Sequence, residues 1–130
     1  MIPLLLLEAV KIAKEKYHEL KKYQFGCIAK RADGTLVSST NHYQNHQQFS
    51  HHAEARVLRK CDAGATLYIA RVSKKDLKTW KIAKPCSRCR NLIKHHKIKE
   101  VYYTIAPNEY GYWDVSKDIE AIKINKGDLK

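Results

Sequence analysis

Long apolar runs are missing from this chain. A bilayer span needs roughly 20 predominantly apolar residues, and the most apolar stretch, Met1 to Val10, is interrupted by Pro3 and Glu8. No transmembrane segment and no membrane partner are therefore expected. That stretch also lacks a basic leader and a small-residue cleavage pattern, so it reads as the first turn of a core helix rather than a signal peptide. Low-complexity segments and internal repeats are absent too, which excludes disordered and solenoid architectures. Acidic residues are few: 13 against 25 basic residues, for a net charge of +12. What remains is 130 residues with 44% apolar content, enough for one domain spanning 1–130 with a real core.

The positive charge is uneven. From Arg71 to Lys99 there are eleven basic residues and one acid, Asp76. One reading is a surface that attracts phosphate. The other is a lysine-rich bias, since Lys outnumbers Arg 19 to 6 and Lys matches phosphate with less geometric specificity. A negatively charged substrate agrees with both; a polymer does not follow from either.

Apolar positions 6, 9, 10, 13, 17 and 20 mark a helix over Leu4 to Lys22. Phe25 to Arg31 reads as a buried strand, Ala32-Asp33-Gly34 as a hairpin turn, and Thr35 to Thr40 as the returning strand. A polar loop follows over Asn41 to Phe49, then a helix from an N-cap at Ser50 to about Lys60. Ala65 to Val72 is expected as a central strand, Ser73 to Lys84 as a basic loop, and Pro85 as the first turn of a helix to about His96. Lys99 to Ile105 is a further strand and Pro107 to Asp114 an aromatic loop; Ile119 to Ile124 is compatible with a short strand or a helical turn. A hairpin followed by strand–helix alternation implies an α/β protein, a mixed sheet with helices on both faces.

Four cysteines are present, and two of them lie in Pro85-Cys86-Ser87-Arg88-Cys89. Thirty residues, Ala55 to Lys84, separate Pro85 from the upstream His52-Ala53-Glu54. One His and two Cys can hold zinc and leave its fourth position open, the pattern of a catalytic rather than a structural site. Cysteines three apart share one side of a helical first turn, and the helix N-terminus favours thiolates there. Structural zinc would need a fourth ligand, and no Cys or His has the usual partner spacing to His52. His51 is adjacent, but only His52 stands two residues from Glu54. A redox pair would leave the His-x-Glu unexplained. Metal-bound thiolates also favour a reducing, intracellular and cytoplasmic setting over disulfides. Cys27 and Cys61 read as small core residues. The expected roles are His52, Cys86 and Cys89 as ligands of Zn2+ and Glu54 as the proton carrier. Zinc would supply an activated water near neutral pH. Glu54 would accept and return that water's proton, since a carboxylate can do both within one turnover.

Together these motifs are those of zinc-dependent base deaminases, and the chain resembles the cytidine deaminase-like superfamily from Leu4 to at least Ile105. The run Gly64-Ala65-Thr66-Leu67-Tyr68-Ile69-Ala70-Arg71-Val72, followed by Lys84-Pro85-Cys86-Ser87-Arg88-Cys89-Arg90, is similar to phage and bacterial cytidine or deoxycytidylate deaminases. The resemblance implies a three-layer α/β/α sandwich with a five-stranded mixed sheet. It implies a sugar contact at Asn41, a backbone contact to the base carbonyl at Ala53, and a base or sugar contact at Tyr102 or Tyr103. Only one of those tyrosines can point to the site. Residues 41–50 carry no Cys, so the extra zinc or allosteric insert of deoxycytidylate deaminases is not expected. The Ser-Pro-Cys of polynucleotide editors is replaced by Lys84-Pro85-Cys86.

Three functions fit to different degrees. The first is hydrolytic deamination of cytosine to uracil in a (deoxy)cytidine nucleoside or nucleotide, by an enzyme of a kind that is often homo-oligomeric. The second is deamination of a base in single-stranded DNA or tRNA, with the Arg71–Lys99 surface, Trp80 and Trp113 holding the strand. The third is a binding module that keeps zinc for folding, which an intact Glu54 argues against. Arg88 reads as facing either the substrate mouth or solvent, and Trp80 and Trp113 as stacking platforms or core-edge caps. His42, His46 and His51 read as solvated loop residues or substrate contacts, and His95 and His96 as complements to a helix C-terminus.

Overall fold

Leu6, Ala9, Val10 and Ala13 recur at helical spacing, and they form the buried stripe of α1 (Leu4–Lys14). The computed structural model describes residues 2–14, 24–40, 57–73, 75–77 and 79–124. The second half of the expected first helix, 15–22, lies outside them. So do residues 41–56, which carry the polar loop and most of the helix expected to start at Ser50.

The strands are β1 (Gln24–Lys30), β2 (Leu36–Thr40), β3 (Thr66–Val72), β4 (Trp80–Lys81), β5 (Glu100–Ala106), β6 (Glu109–Asp114) and β7 (Ile119–Ile124). A second helix, α2 (Ser87–His95), connects β4 to β5. All strands join one sheet in the order β2-β1-β3-β5-β6-β7, with β4 paired to β3. β3 and β5 run parallel and every other pairing is antiparallel. The sheet is mixed and the class is α/β, as expected.

Among the described residues the sheet has seven strands, which corrects the expected five. Trp80–Lys81, inside the expected basic loop, pairs with Arg71 and Val72. The expected aromatic loop is β6. Asn108 takes a positive φ of 63°, which lets Pro107-Asn108 turn the chain back on β5. Tyr110, Gly111, Tyr112 and Trp113 then alternate between the two faces. The open question over Ile119 to Ile124 resolves as a strand, paired along its length with β6.

Alternation sorts the core into two sides. Ile28 of β1 and Ala70 and Val72 of β3 pack against Ala9, Val10 and Ala13 of α1. Cys27, Leu67, Ile69, Val101, Tyr103 and Trp113 point the other way, among Ile93 of α2 and Val57 and Leu58. Helices therefore cover both faces. Cys27 is fully buried and Cys61 half-buried, consistent with their reading as small core residues.

α1 comes close enough to β1 that only glycine fits beneath it. A Cβ on Gly26 would overlap the Ala9 carbonyl oxygen and the Ala13 amide nitrogen, both backbone atoms that cannot swing aside. Next to it, the Gln24 Nε2 donates to the Ala13 carbonyl at 2.9 Å inside the core. Gly26→Ala is expected to push α1 off the sheet and cost about 1–3 kcal/mol, the range for overpacking. Urea unfolding of the variant beside wild type measures this, and an unchanged midpoint would show that α1 is not seated as described.

Candidate functional site

Pro85 is buried and precedes the helix by two residues. It was expected within the first turn; the N-cap is instead Cys86, whose extended backbone (φ −70°, ψ 168°) enters α2. A fixed proline φ just ahead of the cap narrows the approach of the chain. The Cys86 side chain makes no capping hydrogen bond, and the thiol is exposed. Cys89, at the third helical position, is buried. The N-cap and third positions lie on one side of the helix, so the two sulfurs are placed by one turn of backbone. The amide of Arg90 closes that turn on the Cys86 carbonyl at 2.9 Å. Two soft sulfur donors at the positive end of a helix fit zinc well.

His52, Ala53, Glu54 and Asn41 lie outside the described residues, as do His42, His46 and His51. Among the described residues, no three His, Cys, Asp or Glu side chains gather closely enough to hold a metal. Cys86 and Cys89 are thus the described part of the expected constellation.

The two candidate tyrosines are on opposite faces. Tyr102 stacks on Tyr68 at 5.1 Å between centroids, on the α1 side. Tyr103 is on the α2 side and buried, with its ring lying over Gly111, where a Cβ would collide with it. Its hydroxyl donates to the Glu120 Oε2 at 2.7 Å. Burial, reinforced by that bond to a carboxylate, raises the Tyr103 pKa well above its ordinary 10, so the phenol stays protonated. Trp80 packs against the clusters under α1, away from α2. Trp113 is fully buried, with its Nε1 donating to Asp118 Oδ1 at 2.8 Å, as a core residue rather than a stacking platform. Arg88 is exposed on α2. His95 is the last residue of α2 and His96 its C-cap.

One feature beside the cysteines was not foreseen from the sequence. The Arg90 guanidinium lies over the Trp113 ring at 4.4 Å and donates from Nη2 to the Glu120 Oε2 at 2.7 Å. Its Nε donates to the Pro85 carbonyl at 3.3 Å. Lys84 Nζ approaches the same carboxylate at 4.0 Å. At the far end of the helix, Lys94 pairs with Asp118 at 3.5 Å. Only the run of bases around the cysteines hinted at an acidic partner, and β7 was not firmly assigned as a strand.

Burial alone would raise the Glu120 pKa, but the hydrogen bonds from Arg90 and Tyr103 outweigh it and leave it below its ordinary 4.5. A lowered carboxyl contributes stability that is complete above its ordinary value and is lost as the pH falls through the lowered one. Glu120→Gln is expected to cost about 1.5–3 kcal/mol at pH 7, the range for charge-assisted bonds. The gap to wild type should close as the pH drops below 4.5. Unfolding measured from pH 7 to pH 3 checks this; a gap that widens on acidification would contradict the assignment.

No curated protein matches the chain. Among solved structures, it is similar to the cytidine deaminase from Burkholderia pseudomallei, with 20% identity and a TM-score of 0.58, across 99% of this chain and 96% of that one. At that identity the likeness is one of fold. The family model for the cytidine and deoxycytidylate deaminase zinc-binding region matches residues 3–105. That span includes both His52-Ala53-Glu54 and the Pro85–Cys89 segment at the start of α2. The chain belongs to the cytidine and deoxycytidylate deaminase zinc-binding family.

Proposed function

We propose that this protein is a zinc-dependent enzyme that hydrolytically deaminates cytosine to uracil in a (deoxy)cytidine nucleoside or nucleotide. The observation that carries the proposal is the start of α2. Cys86 and Cys89 stand there as an exposed and a buried thiol on one side of a single helical turn. The family match across His52-Ala53-Glu54 supports it independently. His52, Cys86 and Cys89 would hold the zinc, which when bound supplies a water acidic enough to be used near neutral pH.

The chain's own residues do the rest. Glu54 accepts a proton, delivers it to the ring nitrogen, and assists departure of ammonia; a carboxylate is suited to accept and donate within one turnover. Ala53 offers its backbone amide to the base carbonyl, and Asn41 contacts the sugar. The basic residues exposed between Arg71 and Lys99, among them Lys75, Lys81 and Arg88, favour an anionic substrate over a neutral one.

The test is ammonia release, with products identified by mass, from cytidine, deoxycytidine, their monophosphates and a cytosine-containing single strand. Turnover of the free compounds is expected. Glu54→Gln should lower it about 10²–10⁴-fold, the usual contribution of a general acid–base group, while the purified variant still carries zinc. Undiminished turnover in that variant would sink the mechanism. Turnover of the strand alone, weakening steeply as salt is raised, would replace the small-molecule reading with a polynucleotide one.

A further inference from the structure

The Pro85–Cys89 segment is bracketed by two cations, Lys84 immediately before it and Arg90 immediately after. Both converge on a single carboxylate. Glu120 accepts from Arg90 at 2.7 Å and lies 4.0 Å from Lys84. The Arg90 side chain in turn holds the segment, its Nε donating to the Pro85 carbonyl at 3.3 Å, beside the ordinary helical bond from its backbone amide to the Cys86 carbonyl at 2.9 Å. The guanidinium carbon lies 4.4 Å from the centre of the Trp113 ring, a cation–π contact that holds the group from a further side. Glu120 is itself fixed by the Tyr103 hydroxyl at 2.7 Å. Glu120 lies on β7, beyond the residues 3–105 that the family model matches.

We infer that Glu120 is a positioning residue for the metal ligands: through Arg90 it holds the Pro85–Cys86 backbone where Cys86 and Cys89 can bind zinc together. This rests on the zinc reading given above. Arginine is suited to the task because its planar fork presents Nε to the Pro85 carbonyl and Nη2 to the Glu120 carboxylate in fixed directions, whereas a lysine offers donors on a single nitrogen. Partners that orient metal ligands from behind affect metal affinity about 10–100-fold. The β6–β7 hairpin makes a second ion pair with α2, Asp118 with Lys94, one turn or more away from the cysteines. It serves as an internal control, because Asp118→Asn removes the charge facing Lys94 while keeping an oxygen acceptor for Trp113 Nε1, which lies under Arg90, and neither partner touches the Pro85–Cys86 backbone.

The experiment compares wild type, Glu120→Gln, Arg90→Lys, Asp118→Asn and Cys86→Ser. Each is read by zinc release to a chromogenic chelator and by the thiolate-to-metal charge-transfer band after loading with Co2+. Glu120→Gln and Arg90→Lys should release zinc about 10-fold faster or more and shift the Co2+ band. Asp118→Asn should lower the unfolding temperature yet leave release and band as in wild type. If the folded Glu120→Gln and Arg90→Lys proteins both keep the wild-type rate and band, the inference is overturned while the zinc reading stands. If Asp118→Asn accelerates release as much as they do, helix stability alone accounts for the effect, and the inference is again overturned. A wild type that develops no thiolate band, or a Cys86→Ser variant that keeps the full band, overturns the zinc reading and this inference with it.

Discussion

The parallel pairing of β3 with β5 is the constraint on which the site depends. Antiparallel strands can be joined by a tight turn, but a parallel pair needs a crossover long enough to carry the chain back to the starting edge. Residues 73–99 make that crossover, and α2 is its helical part. The sulfur donors are therefore not on a loop free to wander. They sit at the first turn of a helix whose Ile93 is packed against Leu67, Ile69 and Val101, the inward residues of the same parallel pair. Burying such side chains contributes about 1.5–3 kcal/mol each, and that energy holds the cysteine-bearing turn over the sheet.

The charge of the crossover takes on a different meaning once the hairpin is in place. Three of its bases, Lys84, Arg90 and Lys94, face the carboxylates of Glu120 and Asp118. These pairs are not equivalent. Lys84, Lys94 and Asp118 are substantially solvated, and ion pairs made by such groups contribute between nothing and about 1 kcal/mol. Arg90 and Glu120 are more enclosed, and their carboxylate takes a second hydrogen bond from Tyr103. Enclosure makes each charge costly to leave alone, so removing one partner strands the other. Part of the basic stretch is thus internal wiring of the cysteine helix, and only the remainder is available to attract an anion.

Much of this arrangement was legible in the sequence. The stripe of Leu6, Ala9, Val10 and Ala13, the Ala32-Asp33-Gly34 turn and the apolar β3 each announce themselves by period or by turn chemistry. The proposal of His52, Cys86 and Cys89 as zinc ligands and of Glu54 as proton carrier rests on spacing, which needs no structure to be read. β6 was not, because Pro107, Asn108 and Gly111 are breakers when taken one at a time. In place, Asn108 supplies the positive φ of the turn, and Gly111 leaves the space that the Tyr103 ring fills. A glycine opposite an aromatic on a neighbouring strand is a packing partner, and only the register reveals it. The same holds for Arg90 and Glu120, 30 residues apart: no local pattern links them.

Sheet alternation also separates Tyr102 from Tyr103 more firmly than sequence could. Neighbours on a strand must face opposite ways, and Tyr102 is spent on an aromatic stack with Tyr68 beneath α1. Tyr103 faces α2, but its hydroxyl is taken by Glu120 and its ring by Gly111. Its connection to the cysteines therefore runs through Glu120 and Arg90 to the backbone at Pro85 and Cys86. A tyrosine on that side of the sheet thus bears on the cysteine turn without touching it, by keeping in one position the carboxylate that reaches Pro85 through Arg90. Removing its hydroxyl would leave Glu120 with the same cations but one fewer restraint, so the chain of contacts predicts a looser Arg90 rather than an empty one.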